Sequence, residues 1–202
     1  MNIFRLAAAG VIGFVLSMAS AAVAQDASDR AAALAVWDDI HAVVSHPRCT
    51  NCHVGPSGLP LWDGLERGET LGKELVHGMN VRADDSRIGA ETMPCRTCHI
   101  SAASANSVPH APPMIADAWR LPPIEMTWKG KTSAEICVQL RDPDRNGAFT
   151  PEELSDHVGT SAFVAWGFDP GAGRVAAPGS IPEMQEALAI WVAGGTPCVG
   201  DP

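Results

Sequence analysis

The pentad Cys-x-x-Cys-His occurs twice in this chain, as Cys49-Thr50-Asn51-Cys52-His53 and as Cys95-Arg96-Thr97-Cys98-His99. The spacing has a chemical reason. Two thiols three positions apart each form a thioether to one edge of a porphyrin, and the adjacent histidine reaches the iron from the proximal side. The repeated pattern predicts two covalently attached haem c groups, one on Cys49, Cys52 and His53, the other on Cys95, Cys98 and His99. A four-cysteine zinc site made of Cys49, Cys52, Cys95 and Cys98 is the rival, but it gives no reason for a histidine after each pair.

Two porphyrins supply much of a core by themselves, so a chain rich in loops suffices to wrap them. The 16 prolines and 19 glycines fit that demand. The stretch between Cys52 and Cys95 is too short to complete a separate cytochrome c domain around each haem. The two groups are therefore expected to share one compact core, close enough to exchange electrons.

The N-terminus reads as an export signal. Met1-Asn2-Ile3-Phe4-Arg5 is a short positive region, Leu6 to Met18 is apolar but too short to span a bilayer, and Ala22-Val23-Ala24 supplies small residues before Gln25. The expectation is a signal peptide over 1–24, a single domain over 25–202 and a periplasmic location. The rival is an uncleaved anchor. Nothing later in the sequence is a long enough apolar run to cross a membrane, so no span is expected after cleavage. The net charge of −9 becomes more negative once Arg5 is removed. That balance argues against a nucleic-acid partner and suggests a basic docking face on a redox protein partner.

Four of the six cysteines belong to the haem motifs. The remaining two, Cys137 and Cys198, form an even pair in an oxidising compartment, for which a disulfide is the simple reading. It would tie the C-terminal tail to an earlier helix and stabilise the fold by roughly 3–4 kcal/mol.

The periodicity predicts a mainly α chain with long Gly/Pro-rich loops and no internal strand pattern. Leu34, Trp37, Ile40 and Val44 mark an amphipathic helix over 29–44, which Pro47 stops just before the first motif. A Gly/Pro-rich loop over 54–70 precedes a short helical segment around Leu71–His77, and a polar loop from Asn80 to Thr92 leads into the second motif. Residues 101–123 are Pro- and Ala-rich and read as irregular wrapping. Thr132-Ser133-Ala134-Glu135 and Thr150-Pro151-Glu152-Glu153 are capping boxes that open two further helices. After a Gly/Pro loop over 167–182, a last helix carries Met184, Leu188 and Trp191 and ends at Gly194-Gly195.

The distal ligand decides the behaviour of each iron: bis-His gives a low-potential carrier, His/Met a higher potential, and an open site permits enzyme chemistry. The histidines outside the motifs are His41, His46, His77, His110 and His157, and the plausible methionines are Met79, Met93, Met114, Met126 and Met184. His77 follows a helical turn between the motifs and His157 sits on an apolar helix face, so these two are the expected distal ligands. His46 comes next, with a local hydrogen bond beside Pro47 as its plain alternative. Met126 follows, because a methionine near a haem more often packs than ligates. His41 reads as a core residue.

Between the two capping boxes, Asp142 to Glu153 matches the twelve-residue grammar of an EF-hand. Oxygen ligands stand at Asp142, Asp144 and Asn146, Gly147 takes the sharp turn, and Glu153 closes the loop. Ca²⁺ is the cation this pattern would take. The alternative is a plain helix-turn-helix in which Asp and Asn make turns and Glu153 only caps. EF-hands normally come in pairs, and no second loop is present.

Together, His46-Pro47-Arg48-Cys49-Thr50-Asn51-Cys52-His53, Met93-Pro94-Cys95-Arg96-Thr97-Cys98-His99, Met126-Thr127-Trp128-Lys129-Gly130 and Trp166-Gly167-Phe168-Asp169-Pro170-Gly171 resemble a group of exported bacterial haem proteins often labelled isoquinoline 1-oxidoreductase subunit. The resemblance covers nearly all of residues 37–198. It implies a periplasmic haem subunit that takes electrons from a dehydrogenase, and it supports His46, His77 and His157 as recurring histidines. The acidic set Asp142, Asp144 and Glu153 is richer than that group's usual stretch. The chain has no molybdopterin or iron–sulfur cysteine pattern, so it would not oxidise an N-heterocycle alone. The leading expectation is a di-haem carrier between a dehydrogenase and a respiratory acceptor. A di-haem peroxidase or oxidase with one open iron is the alternative, and a module in which Ca²⁺ shifts the His157 helix is a third.

Overall fold

In a computed structural model, residues 8–62, 75–99, 120–170 and 175–201 are described, with side chains from Gln25 onward except Trp62. The chain is mainly α. Its helices are α1 (Ala8–Val44), α2 (Pro47–Thr50), α3 (Ser133–Leu140), α4 (Pro151–Thr160), α5 (Ala162–Phe168) and α6 (Ile181–Ala193). Among the described residues, no helix is long and apolar enough to cross a membrane.

The core forms where α1 meets α6. Ala33, Trp37, Ile40, Val43 and Val44 are buried along one stripe of α1, and Met184, Ala187, Leu188 and Trp191 along one stripe of α6. Three of the four predicted stripe residues of α1 are therefore core, while Leu34 lies half-buried at its edge. Trp37 and Trp191 meet with ring centres 5.4 Å apart in a tilted pair, a geometry that suits the aromatic quadrupole. The helices close tightly at one end. A Cβ on Gly194 would stand 2.4 Å from Ala33 Cβ and 2.5 Å from the Asp29 carbonyl, so no larger residue fits there. The indole of Trp37 donates to Ser133 Oγ at 2.7 Å, which fixes the start of α3 against α1.

Both predicted capping boxes are formed. Thr132 and Glu135 open α3, and Thr150 and Glu153 open α4 with Pro151 in the first turn. The last helix also begins on an Ser-x-x-Glu pair, Ser180 and Glu183, with Pro182 just inside. The predicted 167–182 loop is shorter at both ends. Its last two residues belong to α6 and its first two to α5, which starts because Ser161 turns to an extended backbone, ends α4 and caps the next helix.

Two short antiparallel ladders correct the expectation of a chain without strands. β1 (Leu61–Trp62) pairs with β2 (Leu75–Val76), and β3 (Gly89–Ala90) with β4 (Met93–Pro94). Within the segment read as helical around Leu71–His77, Leu75 and Val76 are strand; residues 63–74 lie outside the described residues. Two-residue ladders leave no alternating pattern long enough to read from sequence. The β3–β4 hairpin occupies the predicted Asn80–Thr92 loop and delivers the second motif. It needs glycine at position 89, where a Cβ would lie 2.5 Å from the Met93 carbonyl and 2.6 Å from Pro94 Cα.

Arg87 stitches this hairpin to the rest of the chain. Its Nε donates to the Pro122 carbonyl at 3.0 Å and an Nη donates to the Val54 carbonyl at 3.1 Å, while its own carbonyl accepts from Leu121 N at 2.7 Å. Burial pulls its pKa down. Arg87→Ala would leave two carbonyls without these charged donors, and denaturant unfolding should show a loss of about 2–3 kcal/mol. Arg87 also has a φ of 63°, so Arg87→Gly should recover about 1 kcal/mol of that loss by relieving the left-handed backbone.

Cys137 and Cys198 are joined in a disulfide, as the sequence led us to expect, with Cα atoms 5.7 Å apart. The tail is further held by Asp201, which pairs with Arg141 at 2.6 Å and accepts from Cys198 N at 2.8 Å. The hydrogen bond from Arg141, and then that from Cys198 N, hold the Asp201 carboxyl below its ordinary pKa. A depressed carboxylate stabilises the fold above its unfolded pKa and loses that contribution as pH falls through the folded value. Acid titrations of stability should therefore be less steep below about pH 4 in Asp201→Asn than in the unaltered chain.

Candidate functional site

The first motif sits on a tight helical turn. α1 ends at Val44, His46 caps α2 by accepting from Arg48 N at 3.2 Å through Nδ1, and Pro47 takes the first helical position. The turn then runs through Cys49, whose carbonyl accepts from Cys52 N at 3.2 Å and from His53 N at 3.0 Å. The second motif repeats this local geometry on a different support. Delivered by the β3–β4 hairpin, Cys95 accepts through its carbonyl from Cys98 N at 3.3 Å and His99 N at 3.1 Å. The shared backbone turn gives each cysteine pair and its histidine the same sequence of directions.

His53 is clasped by the segment 126–129. Its Nδ1 lies 2.9 Å from the Met126 carbonyl, its own carbonyl accepts from Trp128 N at 3.0 Å and Lys129 N at 3.2 Å, and its ring stacks on Trp128 at 3.5 Å and 2°. A carbonyl only accepts, so the Nδ1 carries the proton and the lone pair is left on Nε2. That is the tautomer and orientation a metal-ligating histidine needs, with a backbone carbonyl as its supporting partner. Burial lowers the His53 pKa to about 4; the Met126 hydrogen bond opposes this, while His157 and Arg87 reinforce it. The imidazole is thereby kept neutral at physiological pH. Burial also pushes the Cys49 thiol up to about 12, with Cys52 adding to the effect. Cys52 is pushed up to about 11, first by burial and then by Cys95.

His77 shows the same device as His53. Its Nδ1 lies 2.9 Å from the Gly78 carbonyl, which places the proton there and leaves Nε2 as the electron-pair donor. Its ring centre stands 5.9 Å from that of His99, which is itself only 6% exposed. Two imidazoles bonded to one metal at about 2 Å on each side would place their ring centres roughly 6 Å apart. His157, on α4, packs its ring against Phe149 at 4.6 Å. Of the two expected distal histidines, His77 is thus set beside a motif histidine, His99. The donor chemistry fits a haem c at each motif.

The other nominated residues have plainer roles or lie elsewhere. His46 is a helix cap, and because its Nδ1 accepts, its proton sits on Nε2. His41 is half-buried on α1. The Met126 carbonyl accepts from His53 Nδ1, and a Cβ on Gly147 would lie 3.0 Å from its Sδ. Met184 belongs to the α1–α6 core, Met79 is exposed, and Met93 lies in β4. His110 and Met114 lie outside the described residues.

In the 142–153 loop, Asp142 Oδ1 accepts from Asp144 N at 3.1 Å and Glu153 Oε2 accepts from Thr150 N at 2.8 Å. Asn146 is fully buried and bonded to the Leu140 and Phe149 backbone. Among the described residues, no three His, Cys, Asp or Glu side chains converge as a metal site.

Sequence reasoning passed over the support of these histidines. The carbonyls of Met126 and Gly78 have no sequence signature, since every residue carries one. Trp128 and Trp166 were visible within the motifs. Trp166 on α5 lies under the Arg48 guanidinium at 5.5 Å, and Arg48 Nε donates to the Val175 carbonyl at 2.5 Å, bracing the turn just before Cys49. The indole N–H groups of Trp128 and Trp166 are buried with no hydrogen-bond partner among the described residues. The chain matches no protein-family model, no curated protein and no solved structure.

Proposed function

We propose that this chain is an exported di-haem c-type cytochrome that carries electrons in the periplasm between a dehydrogenase and a respiratory acceptor. The observation that supports the reading is that each Cys-x-x-Cys-His motif forms the same hydrogen-bonded turn and that the His77 ring stands 5.9 Å from that of His99, with His157 as the expected partner of His53. Cys49 and Cys52 would hold one haem and Cys95 and Cys98 the other. Each group, when bound, supplies a one-electron store, and two histidines on an iron favour a low-potential carrier over small-molecule chemistry. The chain's own part is to fix the ligands. The Met126 carbonyl orients His53 and the Gly78 carbonyl orients His77, so neither ring has to reorganise when charge arrives or leaves. The short stretch of chain between the two motifs would place the two groups for direct exchange. The acidic surface suits a partner with a basic docking face.

The test is the EPR spectrum of the oxidised, haem-loaded protein. Two low-spin signals that peroxide leaves unchanged are expected. A high-spin, five-coordinate signal would favour the alternative of a di-haem peroxidase or oxidase.

A further inference from the structure

The loop that joins α3 to α4 packs on His157 through Phe149 and passes beside Met126, whose carbonyl holds His53. Its anchor is Asn146, which has no solvent exposure. The Asn146 amide donates to the Leu140 carbonyl at 2.7 Å and to the Phe149 carbonyl at 2.8 Å, and its oxygen accepts from Phe149 N at 2.9 Å. One side chain therefore ties the end of α3 to the residue before the α4 cap. Two left-handed residues, Gly147 at φ 85° and Ala148 at φ 70°, turn the chain between them. Such backbone persists in a non-glycine residue only where its surroundings enforce it.

What this turn presents is specific. Phe149 lays its ring 4.6 Å from that of His157. A Cβ on Gly147 would stand 3.0 Å from Met126 Sδ, and the Met126 carbonyl holds His53 Nδ1. The turn thus passes beside the residue that supports the motif histidine and packs on His157 through Phe149.

We propose that the Asn146–Phe149 turn is a positioning element for the first site, with Phe149 fixing the His157 ring while the turn passes beside Met126, whose carbonyl holds His53. The inference rests on reading His53 and His157 as axial ligands. It assigns no cation to the loop. Its consequence is that the Phe149 ring acts on the first site, whereas the second is supported by the β3–β4 hairpin and the Gly78 carbonyl.

The experiment compares unaltered, Phe149→Ala and Phe149→Tyr proteins, each haem-loaded, by haem-resolved EPR and redox titration. Phe149→Ala should shift the g-values of one low-spin signal or convert at least half of it to high-spin, and should move one midpoint potential. The other signal and potential should stay unchanged. Phe149→Tyr keeps the ring and should restore both. If Phe149→Ala does not fold, Phe149→Leu carries the same test, because it keeps apolar bulk and removes the aromatic face. Two unchanged signals, or equal changes at both haems, would overturn the inference while leaving the di-haem reading in place. An exported chain without covalent haem would overturn both.

Discussion

Replacing His157 with alanine should free the sixth position of one iron and leave the other low-spin, and His77→Ala should do the reverse. The pairing follows from position. His157 packs on Phe149, whose turn passes beside the Met126 that holds His53, whereas the His77 ring stands 5.9 Å from His99. Each substitution should therefore convert one of two low-spin EPR signals completely to high-spin. The double variant should lose both while retaining covalent haem, since the thioethers rest on Cys49, Cys52, Cys95 and Cys98. Exogenous imidazole should restore the low-spin signal in each single variant, which separates a missing ligand from a damaged fold. Loss of the same signal in both variants would show that the pairing is wrong.

The second large effect concerns stability. Cys198→Ser opens a covalent loop spanning 61 residues, and a loop of that length implies a loss of about 4 kcal/mol through the unfolded state. The folded tail keeps its other ties: the Trp191 indole donates to the Pro197 carbonyl at 2.9 Å, and Asp201 holds both Arg141 and Cys198 N. The variant should thus fold to the same structure with a melting temperature lower by roughly 10 °C or more. Its haem content should be unchanged, because neither Cys137 nor Cys198 belongs to a haem motif. A loss below about 1 kcal/mol would mean that the reduced, unfolded chain retains structure.

Elements with strong local signals were legible in the sequence. α3, α4 and α6 begin on capping boxes or caps and carry regular apolar stripes. The Cys137–Cys198 pairing followed from counting thiols. What escaped was structure made by contacts distant in the chain. β1 to β4 are too short to show a period, and α5 hides behind Ser161, which both ends one helix and starts another. At the site, the motifs, His77 and His157 were visible as residue types. Their pairing was not, because it depends on how the β3–β4 hairpin and α4 are brought beside the first motif. Arg87 reads as an ordinary polar loop residue until its buried carbonyl partners, Val54 and Pro122, are known. Asn146 is instructive in a different way. Its spacing from Asp142 and Glu153 fits a cation loop, yet the fold turns its side chain inward to three backbone bonds.

The most direct test of the central claim is the intact mass of the exported, mature chain under denaturing conditions, paired with its pyridine haemochrome spectrum. The account predicts the added mass of two haem groups per chain, surviving denaturation, with a c-type spectrum at two haems per polypeptide. A bare chain with four alkylatable thiols at Cys49, Cys52, Cys95 and Cys98 would contradict it.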